Sequence, residues 1–263
     1  MDMKRITVVG LCLAIASVLS AVAAVSVSAA APEYGRCFKQ AGGKYKNASC
    51  TLASVPGEEK YEWFPGPGPK AKFTSTLKPA TVATLETTGG AKVTCTGETN
   101  SGEYTGPKTI ANLAITFTGC EAGALKCSTE GAAAGEVITE PLAAGVAFAI
   151  FGKKEKREGT GIGRATAPAE GEVIVTMTCA GLSVTLKGTV LNFLMPNKMQ
   201  LTSILKYKAT KGKQKPQFYE NEAKENEFGV LFSSFGGGPF VQTGLSAEVV
   251  QTNEEKIEIN KVV

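Results

Sequence analysis

The stretch NLAITFT, residues 112–118, alternates: Leu113, Ile115 and Phe117 fall on one side of an extended chain, and Ala114, Thr116 and Thr118 on the other. A period of two belongs to a strand with one buried and one solvated face, whereas a helix needs apolar residues three and four apart. The same pattern recurs on the C-terminal side. EVIVTMTC (172–179) aligns Val173, Val175, Met177 and Cys179, and LSVTL (182–186) aligns Leu182, Val184 and Leu186. MQLTSILKYKA (199–209) sets Met199, Leu201, Leu205 and Tyr207 against Gln200, Lys206 and Lys208. LSAEVV (245–250) and KIEIN (256–260) follow suit. Threonine-rich, half-apolar strands of this kind build antiparallel sheets with one wet face, so the expected fold is all-β, a sandwich or a barrel.

Glycine, asparagine and proline punctuate the strands. Turns are expected at TTGGAK (87–92), TNSGEYTGPK (99–108), FGKKEKREGTG (151–161), CAGL (179–182) and MPNKM (195–199). GTGIGR (159–164) has the glycines of a dinucleotide loop. It follows KKEKRE rather than a buried strand, and Thr166 stands where the third glycine belongs, so it reads as a plain loop. The one candidate helix is ENEAKENEF (220–228), polar on nearly every face and therefore a surface excursion.

Residues 1–30 read as a secretory signal: MDMKR supplies the charge, LCLAIASVLSAVAAV (11–25) the apolar run and SVSAAAPE (26–33) the small residues before cleavage. The competing reading is an uncleaved anchor, since the run is about long enough to span a bilayer. After the signal leaves, no membrane association is expected and the protein is secreted or held at the cell surface. Residues 31–70 form an N-terminal loop and Pro/Gly connector, too polar to hold a core alone, and residues 71–263 form the β domain. Tyr61, Trp63 and Phe64 are either a ligand platform or the staple that docks this segment.

Six cysteines remain in the exported portion, and an even count there predicts disulfides. Cys37 with Cys50 and Cys120 with Cys127 close short local loops. AKVTCTGE (91–98) echoes VTMTCAGL (175–182), each with an inward cysteine, so Cys95 is expected to bridge Cys179.

The chain has no histidine, and its single aspartate, Asp2, lies in the signal. Ser-His-Asp and Cys-His devices, histidine-ligated metals and aspartic dyads are thereby excluded. No cofactor or metal motif is present. What survives is chemistry run by glutamate alone, for which Glu86, Glu98, Glu103, Glu136 and Glu172 are candidates, or a Ser-Lys nucleophile. A formal net charge of +4 implies no nucleic-acid partner. The most basic run, KATKGKQKPQ (208–217), carries Lys211, Lys213 and Lys215. It reads as the solvated tip of a hairpin or, alternatively, as a handle for an extracellular polyanion.

PEYGRC (32–37), GKYKNASC (43–50), KYEWFPGPG (60–68), GEYTGPKT (102–109), FTGCE (117–121), YKATKGKQKP (207–216) and QTNEEKIEIN (251–260) resemble a family of exported proteins of high-GC Gram-positive soil bacteria. The resemblance spans nearly the whole exported chain and brings no site residue with it. It implies an exported, cysteine-bearing protein present in related copies. The expected function is a non-enzymatic extracellular or cell-surface interaction module. The alternatives are a glutamate-dependent polysaccharide hydrolase and a polyanion-binding surface protein.

Overall fold

The computed structural model describes residues 32–151, 156–166, 171–220 and 225–260; the expected signal peptide lies outside them. The described residues contain strands and no helix. An N-terminal pair, β1 (Tyr34–Lys39) and β2 (Tyr61–Pro65), precedes β3 (Lys72–Leu77), β4 (Ala83–Thr87), β5 (Lys92–Cys95) and β6 (Gly97–Tyr104). The middle of the chain forms β7 (Thr109–Thr118), β8 (Glu121–Ala122), β9 (Leu125–Ser128), β10 (Val137–Ile138) and β11 (Leu142–Phe151). Next come β12 (Lys156–Thr166), β13 (Val173–Cys179), β14 (Leu182–Met195) and β15 (Gln200–Tyr207). The rest comprises β16 (Ala209–Thr210), β17 (Lys213–Gln214), β18 (Phe218–Glu220), β19 (Asn226–Phe228), β20 (Leu231–Phe235) and β21 (Val241–Ile259).

Every ladder is antiparallel, and the ladders close. One ring runs β3-β6-β7-β11-β12-β14-β15-β21 and returns to β3. A second runs β4-β5-β8-β9-β13-β14-β20-β21 and returns to β4. Two strands belong to both. Residues 184–188 of β14 pair in the second ring and 189–195 in the first. In β21, 241–246 pair in the second ring and 247–257 in the first. The expected barrel is therefore two eight-stranded rings joined along two common strands. Closure leaves neither ring an open edge, which removes the template for intermolecular pairing.

The alternation in β7 sets the inside: Leu113 and Ile115 are buried, and Phe117 packs on the same core as Val175, Met177, Val184 and Leu186. Val173, Leu182 and Leu201, read as inward, are exposed. A register shift between Val173 and Val175 turns Ile174 inward instead. Leu201 lies beside a second register shift, between Gln200 and Thr202.

The cysteines show what ring geometry adds to spacing. Thr94 pairs with Glu121, Glu121 with Lys126, and Cys179 with Cys127, while the Cys127 amide donates to the Cys120 carbonyl at 2.9 Å. Cys95, Cys120, Cys127 and Cys179 thus form one row across four adjacent strands. A Cys120–Cys127 bond would leave Cys95 and Cys179 three strand spacings apart, about 14 Å, beyond the reach of a disulfide. The expected Cys120–Cys127 and Cys95–Cys179 pairs are accordingly replaced by Cys95–Cys120 and Cys127–Cys179, with Cα separations of 4.0 and 4.1 Å. Cys37–Cys50 forms as expected.

Four local readings are also corrected. GTGIGR is no loop but part of β12, because pairing partners on both sides, β11 and β14, outweigh its weak intrinsic strand preference. In ENEAKENEF, expected as a helix, Glu220 and residues 226–228 are strand while 221–224 lie outside the described residues: Phe218 pairs with Phe228 and Glu220 with Asn226, and β18 lies against β11. The turn expected at 99–108 is confined to its end, since β6 runs on to Tyr104. The stretch 209–216 is a hairpin but not simply a solvated tip. Lys211, Lys213 and Lys215 point out, while Gly212, Gln214 and Pro216 are buried.

Gln214 sits at the seam between the rings. It is fully buried; its Nε2 donates to the Leu191 carbonyl on β14, and its Oε1 accepts from the Leu245 amide on β21, both at 3.2 Å. These are the common strands, close to where each passes from one ring to the other. A Cβ at Gly212 would lie 2.3 Å from the Thr87 main chain, so the hairpin is pressed into the seam. On β14 itself Gly188 has φ +108°, and a Cβ there would meet the Val230 carbonyl at 2.3 Å. Only glycine suits that bend.

Non-reducing peptide mapping should recover Cys95–Cys120 and Cys127–Cys179 peptides; a Cys120–Cys127 peptide would contradict the row. Replacing Gln214 with Ala strands a buried carbonyl and a buried amide at once. It should lower stability by about 2–4 kcal/mol, read from urea unfolding. Gln214→Glu should be no better, because a carboxylate cannot donate to the Leu191 carbonyl.

Candidate functional site

The inside of the first ring carries a polar belt. Ser203 pairs with Gln251, Gln251 with Ser75 and Ser75 with Asn100, across four neighbouring strands. Gln251 Nε2 donates to the Tyr104 hydroxyl at 2.7 Å and to Asn253 Oδ1 at 2.8 Å, and the Tyr104 hydroxyl donates to Asn253 Oδ1 at 3.0 Å. Tyr34 enters from β1 and meets the Tyr104 ring edge-on, with centroids 4.7 Å apart. Its hydroxyl donates to the Gly145 carbonyl at 3.4 Å. Burial raises the pKa of Tyr34, Tyr104 and Tyr207, so these phenols stay neutral.

Glu98 projects into this interior from β6 and is 4% exposed. Burial pushes its carboxyl up to about 7, against the opposing hydrogen bond from Asn100. Asn100 Nδ2 donates to Glu98 Oε1, and both Glu98 Oε2 and Asn100 Oδ1 lack partners. A single proton on Oε2 supplies the missing donor, since acid and amide two residues apart on one strand face can form a ring-shaped pair. At 4% exposure this carboxyl is closed off from any large substrate.

The other candidate glutamates are dispersed. Glu86 pairs with Lys92 at 3.3 Å. Glu136 Oε2 accepts from the Ala133 amide at 3.1 Å. Glu172 is exposed just before β13. Glu103 differs: it lines a groove of about 530 Å³ on the outer wall of the first ring, with Lys72, Thr74, Ser101, Asn112 and Glu254. The register organises that groove. Thr252 pairs with Thr74 and Thr74 with Ser101, giving a row of hydroxyls over β21, β3 and β6. One row along, Lys72 pairs with Glu103, and Glu254 falls on the opposite flank of Lys72. Asn112, at φ +56°, lies on β7 next to the register shift between Ser101 and Glu103, a feature common where a strand re-aims a side chain toward a site. Thr76 and Thr99, paired and exposed, extend the hydroxyl surface.

Trp63 is held as a staple. Its Nε1 donates to Glu33 Oε1 at 2.6 Å, and its ring packs against the Gly35 main chain between β1 and β2. Arg36 ties the same hairpin to Glu255 of β21 at 2.7 Å. Lys211, Lys213 and Lys215 make an exposed strip on an anchored hairpin, remote in the pairing scheme from Trp63 and the groove. Sequence reasoning found Glu103 but missed Glu254, Lys72 and the hydroxyl row, whose members come from strands far apart in the chain. Alternation alone marks Thr74, Ser101 and Thr252 as outward.

The titrating groups give stability two opposed slopes. Glu98 has a raised folded pKa, so the folded state holds its proton between pH 4.5 and about 7, and stability falls as pH climbs through that window. The loss is on the order of 3 kcal/mol by pH 8. Glu248 is held down at about 2 by hydrogen bonds from Lys206 and Lys78, so its contribution is present above pH 4.5 and fades as pH drops toward 2. Urea midpoints should therefore peak near pH 4–5. Glu98→Gln should flatten the alkaline side while leaving the acid side intact; an unchanged alkaline slope would place the titration elsewhere.

Among the described residues no group of three or more histidine, cysteine or acidic side chains stands together as a metal site, and no helix is long and apolar enough to cross a membrane. No known protein family, curated protein or solved structure matches the chain. What the groove can take is set by its own side chains.

Proposed function

We propose that this is an exported, non-enzymatic binding module that engages a hydroxyl-rich polymer of the cell envelope or the surrounding medium along the outer groove of the first ring. The observation that carries this reading is the row Thr252–Thr74–Ser101 beside Glu103, Lys72 and Glu254. Hydroxyls both donate and accept, carboxylates accept and the ammonium donates, so the two rows can satisfy sugar hydroxyls in either polarity. A closed ring holds the rows at fixed spacing, which cuts the ordering cost of binding an extended ligand. Three disulfides fit an extracellular setting, where such polymers occur.

A second reading rests on the glutamates. Glu103 and Glu254 stand two strand spacings apart, about 10 Å between backbones, close to the carboxyl separation of inverting glycosidases. Lys72 stands on the strand between them, and its ammonium adds a hydrogen-bond donor for sugar hydroxyls, which favours binding.

Affinity electrophoresis against neutral glucans, chitin oligomers and purified cell-wall polysaccharide tests both. Retention on at least one neutral polymer is expected, reduced tenfold or more by Thr74→Arg with Ser101→Arg and little changed by salt. Release of reducing ends, lost in Glu103→Gln, would turn the protein into the hydrolase. Retention only on anionic polymers, abolished by replacing Lys211, Lys213 and Lys215 with Gln and falling steeply with salt, would move the site to the basic strip.

A further inference from the structure

The seam between the rings encloses a void of about 80 Å³ whose walls are almost entirely carbon. The second ring contributes Ala83, Leu85 and Met177, and the first contributes Ile115, Ala165 and Val190. Its one hydroxyl, on Thr139, is engaged, with Oγ1 accepting from the Ile115 amide at 3.1 Å. Native interiors pack to near-crystalline density, and a void of several water volumes is uncommon in them. Water gains nothing here, because a buried water needs two to four polar partners and the walls offer none free. Larger side chains at Ala83 or Ala165 would fill the space, yet both positions carry the smallest side chain that has a Cβ.

One wall is lightly held. The strap formed by β10 and the residues after it, 137–140, joins the disulfide-bearing hairpin β8–β9 to β11, and its Val137 and Thr139 face the void. It is fixed by a two-residue ladder to β7, by the Ile138 amide to Thr129 Oγ1 at 2.7 Å, by the Thr139 amide to the Ile115 carbonyl at 2.9 Å and by the Glu140 amide to the Ile174 carbonyl at 2.8 Å. Every other wall belongs to a strand paired on both sides or to the disulfide row, so this strap is where the seam opens at least cost.

We propose that the seam cavity is a binding site for a small uncharged apolar molecule, no larger than one aromatic ring, which enters as the strap 137–140 lifts. The site is independent of the outer groove and of whatever binds there. Size and lining define the ligand class: an engineered apolar cavity of about 150 Å³ stays dry and takes benzene or xenon. This smaller void suits xenon as it stands and a ring or short hydrocarbon after modest repacking.

Xenon and benzene are the probes. Xenon NMR on the oxidised, full-length exported protein should give a saturable bound signal. Benzene-saturated buffer should raise the melting temperature by roughly 2–4 °C, with no shift from acetamide as the polar control. Ala165→Leu should abolish the xenon signal while the protein stays folded. Should that variant fail to fold, Ala83→Val fills the opposite wall and must weaken the signal at least severalfold. Absence of a saturable xenon signal in the wild type, or a signal unchanged in the filled variant, overturns the proposal.

Discussion

Two strands carry the architecture, because among the described residues β14 and β21 are the only strands that run through both rings. A strand can serve two closed sheets only if its neighbours change on both sides at nearly the same point. On β14 the neighbours switch from β13 and β20 to β12 and β15; on β21 they switch from β4 and β20 to β3 and β15. At such a switch main-chain groups lose one ladder before gaining the next, and buried groups cannot be left without partners. Gln214 meets that need, donating to β14 and accepting from β21 with one side chain. The seam cavity has the same origin, since side chains from two rings with different neighbours do not interdigitate fully where they meet.

Interior chemistry divides along this seam. The second ring is braced by the cysteine row and by the pair of Ser233 with Thr243. The first ring holds glutamine, asparagine, tyrosine and Glu98 in place of a purely apolar filling. Buried polar groups destabilise unless partnered, and most of this belt is partnered side chain to side chain. Ser75 Oγ, Asn100 Oδ1 and Glu98 Oε2 are left without partners, and of these Glu98 is the group whose balance depends on a proton. The first ring's outer wall, by contrast, presents a row of hydroxyls beside the groove.

The strands that shape the groove are also those most firmly held. β3 lies between β6 and β21, β21 is tied to the N-terminal hairpin through Arg36 and Glu255, and Tyr34 closes the interior beneath. A ligand on this face meets backbone fixed on both sides. Recognition then depends on side-chain geometry and little on ordering loops. The N-terminal segment thus acts as a brace for the first ring, and Trp63 is spent on that brace.

The sequence by itself determined the fold class, because alternation at NLAITFT and its counterparts reports which face of a strand is buried, and that is a local property. It indicated that the cysteines pair, through the even number that follows residue 30, and that Cys37 meets Cys50, a short loop. It shows no histidine and a single aspartate, Asp2. Tertiary structure decided what depends on which strand lies beside which: the pairing of four cysteines in one row, the conversion of GTGIGR and of Glu220 and residues 226–228 into strand once partners flank them, and the meeting of Lys72, Glu103 and Glu254 on one wall. Gln214 shows the limit most clearly. In sequence it is one polar residue among three lysines and reads as solvent-exposed; its burial follows from two unpaired main-chain groups supplied by strands on either side of it in the chain. Local patterning encodes burial, whereas ring closure is a long-range condition that no window of residues contains.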